Sequence, residues 1–85
     1  MQAKFVKHIE GMGGAAHLYE LSEPLEEHQY VVVSAVYVPF GGGPETYIFP
    51  ADREGNIINW GELDGSFKGA LDHSRALKNA GYEVE

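Results

Sequence analysis

The chain has 85 residues, no cysteine, and thirteen acids against six Lys and Arg, a formal charge of −7. That length makes one modest domain, which buries only roughly 60–65 % of its unfolded surface. The missing cysteines exclude a disulfide framework, a thiolate metal site and a cysteine nucleophile. The charge disfavours direct nucleic-acid binding, which needs Lys and Arg to displace counterions.

The first ten residues lack the apolar core of a signal peptide. The longest apolar run, 31–38, is interrupted by Ser34 and is far too short to span a bilayer. The expected location is therefore cytoplasmic, with no membrane partner. Glycines punctuate the rest at Gly11, Gly13 and Gly14, at Gly41–Gly43, at Gly55 and at Gly81.

Lys4–Ile9 alternates charge with bulk, and Ala15–Leu21 should pair back on it as a hairpin. Two registers compete. One sets His8 opposite His17; the other sets Lys4 opposite Glu20, Phe5 opposite Tyr19 and Val6 opposite Leu18. The second joins unlike charges and two aromatics and is the preferred one. Ser22–His28 reads as a connection, because Pro24 cannot donate to a ladder and the acids favour solvent.

Gln29–Val38 is the strongest signal in the chain, β-branched and aromatic with apolar residues on both alternating faces. It reads as a central strand buried on both sides. Residues 39–44 form a glycine-rich turn carrying Phe40. Glu45–Phe49 returns as a strand, and Pro50 argues for an edge position. Asp52–Asn56 makes a tight turn before a short strand, Asn56–Asn59.

A helix is expected over 66–80. Ser66 or Asp64 would cap it, and Phe67, Ala70, Leu71, Ser74 and Leu77 draw one apolar stripe. Asp72 and Arg75 can pair at i, i+3, and Gly81 suits the position just past the end. The expected fold is α+β: an antiparallel β-meander of four to five strands packed on one C-terminal α-helix, in a single domain over 1–85. One such helix covers one face of the sheet. The other face needs cover too, which points to self-association and a homodimer.

Several chemical patterns weaken on inspection. Gly11-Met-Gly-Gly-Ala-Ala16 has the letters of a dinucleotide fingerprint, but a strand rather than a helix should follow it. The four histidines, His8, His17, His28 and His73, share no metal-binding spacing within one segment, so no metal is expected. Asp72-His73-Ser74 spells a triad on consecutive helical residues, which point about 100° apart. Asp52, Glu54 and Asn56 suggest a calcium loop, yet its twelfth position falls on Leu63. Glu62 and Asp64 could share a pocket with His73, but nothing singles them out. Trp60 is either a core anchor beside the helix or a binding hot spot.

At the level of whole segments, His17-Leu-Tyr-Glu-Leu-Ser-Glu-Pro24, Val31-Val-Val-Ser-Ala-Val36, Pro44-Glu-Thr-Tyr-Ile-Phe-Pro-Ala51 and Asn59-Trp-Gly-Glu-Leu-Asp-Gly-Ser-Phe67 resemble small uncharacterised proteins encoded by tailed, mycobacteriophage-like phages of actinobacteria. The resemblance covers nearly the whole chain. It implies expression inside an infected bacterium and an accessory role, and it supplies no site residues.

The expected function is a non-enzymatic interaction protein, homodimeric and acting on a host or phage macromolecule, without a cofactor. Contact candidates are Tyr37, Phe40, Gly41, Gly42, Gly43, Tyr47 and Trp60. A nucleotide-like small ligand held by the glycine loops is one alternative. An acidic decoy that imitates DNA through Glu20, Glu23, Glu26 and Glu27 is another.

Overall fold

A computed structural model describes residues 1–9, 15–38, 40, 42–59, 61–63 and 65–84. Four strands follow one another as an antiparallel meander: β1 (Gln2–Ile9), β2 (Ala15–Leu25), β3 (His28–Val38) and β4 (Gly43–Ala51). Two short strands flank them. β5 (Phe67–Lys68) pairs with β4, and β6 (Glu83–Val84) pairs with β1, giving the order β5-β4-β3-β2-β1-β6. The β6–β1 pairing is parallel. The sheet is therefore six-stranded and mixed, where a purely antiparallel sheet of four to five strands was expected.

The helix is the largest departure from expectation. α1 spans only His73–Asn79, with Asp72 as its N-cap accepting from the Arg75 amide. The stretch before it cannot be helical, because Gly65 and Gly69 take φ of +105° and +106°. Ser66 does not cap a helix. Its hydroxyl donates to the Leu63 carbonyl at 2.9 Å and accepts the Ile48 amide at 2.9 Å, fixing the chain along the edge of β4. Phe67 then pairs with Thr46 as part of β5. A Cβ at Gly65 would strike the Ala76 carbonyl oxygen, so the glycine also permits close approach to α1. The far end follows the sequence. Gly81 has φ +97°, its amide reaches the Lys78 carbonyl, and the Tyr82 amide reaches the Leu77 carbonyl, a complete Schellman closure.

β2 also runs further than expected. It continues through Pro24 to Leu25, and a two-residue turn at Glu26 and Glu27, both at positive φ, returns to His28. Pro24 costs no rung there, since pairing with β3 is irregular between Glu20 and Leu25. Pro50 is tolerated for a related reason. Its carbonyl takes the Ile58 amide, so its nitrogen faces away from β3, on the side where loop residues replace a full strand. The short strand expected over 56–59 reduces to one bridge, Ala51 with Ile57.

The sheet carries a core on each face. Ala3, Tyr19, Leu21, Val31, Val33 and Ile48 pack against Ala76 and Leu77 of α1 and against Tyr82. On the other face Ala16, Leu18, Val32 and Ala51 pack with Ile9, Tyr30 and Ile57. Ile57 belongs to the loop after β4, and Gly55 of that loop lies so close that a Cβ would come 2.5 Å from Ile9 Cδ1. Part of the cover expected from a second copy is thus supplied by the chain itself. The exposed large apolar side chains, Phe5, Val6, Tyr37, Phe40, Ile58, Leu71 and Val84 among them, lie on edges, turns and ends. Among the described residues no helix is long and apolar enough to cross a membrane.

Candidate functional site

The β1–β2 ladder contains both competing registers. Ala3, Lys4 and Phe5 face Leu21, Glu20 and Tyr19; after a shift at Val6, Lys7, His8 and Ile9 face Leu18, His17 and Ala16. Val6 is the extra residue of a β-bulge. The consequence is geometric. In a regular strand residues three apart point to opposite faces. The bulge restores phase, so Phe5 and His8 both join the face that carries α1.

An aromatic cluster forms there. The Phe5 ring lies edge-on to His8, His17 and Tyr19, with centroids 5.2, 5.3 and 6.0 Å away. His8 and His17 meet at 4.7 Å with rings nearly perpendicular. His73, the first residue of α1, stacks on His17 at 4.0 Å with an 11° interplanar angle. The Tyr19 hydroxyl lies 3.4 Å from His17 Nδ1. His17 and His73 are half-buried and His8 is exposed. Burial lowers the His17 pKa first, and the adjacent His73 and His8 lower it further. Burial raises the Tyr19 pKa.

Three imidazoles invite a metal reading, and the stack argues against it. Parallel rings direct their nitrogen lone pairs side by side, whereas tetrahedral ligands must converge on one point. Among the described residues no group of three His, Cys, Asp or Glu could hold a metal ion. The triad letters also fail to assemble. Asp72 turns its carboxylate to the Arg75 amide at 3.0 Å, and Ser74 lines a shallow cleft with Asp72, Arg75, Lys78 and Asn79.

The interaction candidates divide. Tyr37, Phe40, Gly42 and Gly43 gather at the β3–β4 turn, where Tyr37 pairs with Pro44. Tyr37 is 72 % exposed and Phe40 fully so, with φ +58° at Phe40. Tyr47 does not belong to this group. It pairs with Ser34, on the opposite face from Tyr37, and packs half-buried near Phe49 with centroids 5.9 Å apart. Gly41 and Trp60 lie outside the described residues, as does Asp64, and Glu62 is exposed.

The remaining motifs resolve into turns and strands. Ala15 and Ala16 of the glycine motif open strand β2, so no helix follows to hold a pyrophosphate. Asp52 Oδ1 accepts the amides of Glu54 and Asn56, both at 2.9 Å, and Oδ2 takes the Asn56 side chain at 3.1 Å. These bonds, the Asn56 amide foremost, lower the Asp52 pKa and make the segment a self-contained turn.

Sequence reasoning missed the histidine cluster. The His8–His17 contact was visible as the disfavoured register, while His73 lies fifty-six positions from His17 in the chain and carried no signal that it would meet it. No protein family, curated protein or solved structure matches the chain.

Proposed function

We propose that this chain is a small non-enzymatic accessory protein that acts by binding another macromolecule, with the β3–β4 turn as its contact element. The observation that supports this is Phe40. A large apolar ring stands fully in solvent on a residue held at positive φ. Left-handed backbone costs a non-glycine residue about 1–2 kcal/mol, and an exposed phenyl ring offsets none of it in the free protein. Strain of that kind at an exposed tip is a mark of recognition surfaces. Tyr37, on the adjoining strand end, adds a second exposed aromatic, and paired aromatics are the usual anchors of an interface. The segment resemblance to actinobacterial phage proteins supports a host protein as the target and an accessory role inside the infected cell. Self-association into a homo-oligomer belongs to the same reading.

The test is capture of partners from actinobacterial lysate by the tagged protein, the Phe40→Ser variant and the Tyr37→Ser/Phe40→Ser double variant. The native chain is expected to enrich one protein that survives high salt, because an aromatic anchor is little screened. Both variants should lose it while keeping the native circular dichroism and melting profile. Undiminished capture by the double variant would end the assignment. A light-scattering mass of one chain at micromolar concentration would remove the homo-oligomer.

A further inference from the structure

The outer side of β1 offers a surface independent of the β3–β4 turn. We propose that this edge, together with the groove between β6 and α1 that leads onto it, is a docking site for a short extended segment of another protein that carries acidic side chains.

Five successive residues of β1, 4–8, are exposed, the apolar Phe5 and Val6 among them. A strand covered on one face would hide every second side chain. Among the described residues, pairing on the outer side of β1 ends at Ala3, opposite Val84 of β6. Past that point the main chain presents an open edge, which is a template for another strand. β6 already shows the geometry, since Gln2 and Ala3 take it as a parallel neighbour. A segment continuing its line lies beside Lys4 and Phe5.

The helix supplies a wall. Ser74 and Lys78, one turn apart on α1, line a groove with Tyr82, Glu83 and Val84. Val84 is level with Ala3, and Ala3 and Phe5 share the face turned to α1. The groove therefore opens toward Phe5, and alternate side chains of a docked segment enter between that ring and the helix. The others project to the opposite face, where Lys4 and Lys7 lie across from Glu20 and Leu18.

Charge selects the occupant. The chain as a whole stands at −7, yet residues 1–9 hold two lysines and no acid, and Lys78 adds a third lysine across the groove. Two acids lie near: Glu83 lines the groove at its β6 end, and Glu20, opposite Lys4, accepts the Tyr30 hydroxyl. The balance along the edge is positive, and carboxylates on alternate residues of a partner complement it. A second copy is the wrong occupant, because its β1 would set Lys4 and Lys7 against the same two lysines. The bulge at Val6 breaks the row of outward main-chain groups, which suits a docked strand of a few residues and disfavours a long flat one.

The test titrates the isotope-labelled native chain with end-blocked synthetic peptides. One alternates Glu and Val, one alternates Lys and Val, one has the sequence of β1 itself, and one is the Glu peptide with every amide N-methylated. The Glu peptide is expected to shift the amides of residues 4–9 and of Ser74 and Lys78, with an affinity that falls as salt rises. The N-methylated peptide keeps the charges and side chains but cannot donate to a ladder, and it should bind several-fold more weakly. Lys4→Glu/Lys7→Glu should reverse the preference toward the Lys peptide. Both lysines are exposed, so this variant should keep the native fold; should it fail to, the N-methylated peptide still decides. Unmoved amides at 4–9, equal binding of the N-methylated peptide, or equal binding of the Lys or β1 peptide to the native chain would each overturn the proposal.

Discussion

The β3–β4 hairpin holds one register from Tyr30↔Ala51 to Val38↔Gly43, while the β1–β2 hairpin changes register after Phe5. The difference follows from position in the sheet. β3 has strands on both sides and core clusters on both faces, so a slip of one residue would turn Val31 and Val33 out of one core and Val32 out of the other. Among the described residues, β1 is paired on its outer side only at Gln2 and Ala3. An extra residue there bends an edge without dislodging a neighbour. Rigid pairing therefore carries the fold, and the tolerant edge is where an unusual side-chain assembly could be built.

The largest expected effect breaks the regular hairpin. Ile48 is fully buried beside Leu77 in the larger core. Ile48→Ala should cost about 3 kcal/mol by urea denaturation, from lost transfer energy plus the cavity. A domain of this size has only roughly 4–13 kcal/mol in total. Phe5→Ala on the bulged hairpin removes a larger side chain, but Phe5 is 41 % exposed, so its loss should stay near 1 kcal/mol. Equal costs would mean that the edge is packed as firmly as the centre, and the comparison would fail.

The next effect is a gain, at the turn joining the two hairpins. Glu26 and Glu27 have φ of 47° and 75°, the sign pattern of a type I′ turn built from residues that disfavour it. Asn at 26 and Gly at 27 meet that geometry without strain. The double replacement should add about 1 kcal/mol, measured by the same denaturation midpoint. No gain would show that the turn is already relaxed.

The same contrast explains what the sequence could disclose. Gln29–Val38 was legible as a doubly buried central strand because burial on two faces writes itself as a continuous apolar run. The meander, the Asp52 turn and the Gly81 stop were legible too, each from local residue chemistry. The helix start was not: Phe67, Ala70 and Leu71 fit a helical stripe, and nothing in that stripe reveals that Gly65 and Gly69 adopt left-handed backbone. The parallel strand β6, two residues long, offered no period to read. The bulge was hidden for a different reason. Each register satisfied part of the hairpin, and a choice of one for the whole strand discarded the half in which His8 meets His17. Of the contact candidates, Tyr37 and Phe40 are neighbours along one stretch of sequence and meet at one turn, whereas the face that Tyr47 occupies is set by its pairing with Ser34, which sequence alone does not disclose.

Deleting Val6 gives the smallest change in stability and bears most directly on the contrast. The remaining pairs would then follow one register, with Phe5 opposite Tyr19, Lys7 opposite Leu18 and His8 opposite His17. The aromatic cluster should survive, with histidine ring resonances close to those of the native chain. The lost side chain is 44 % exposed, so the denaturation midpoint should move by the equivalent of under about 1 kcal/mol. The edge itself is what changes. A bulge and the charged Lys4 and Lys7 guard an open strand against pairing with another copy, and deletion leaves the lysines alone on a longer, flatter edge. Light scattering should therefore detect more self-association in the deletion variant than in the native chain, and replacing both lysines with threonine should increase it again. A deletion variant that associates no more than the native chain would mean that the lysines alone guard the edge.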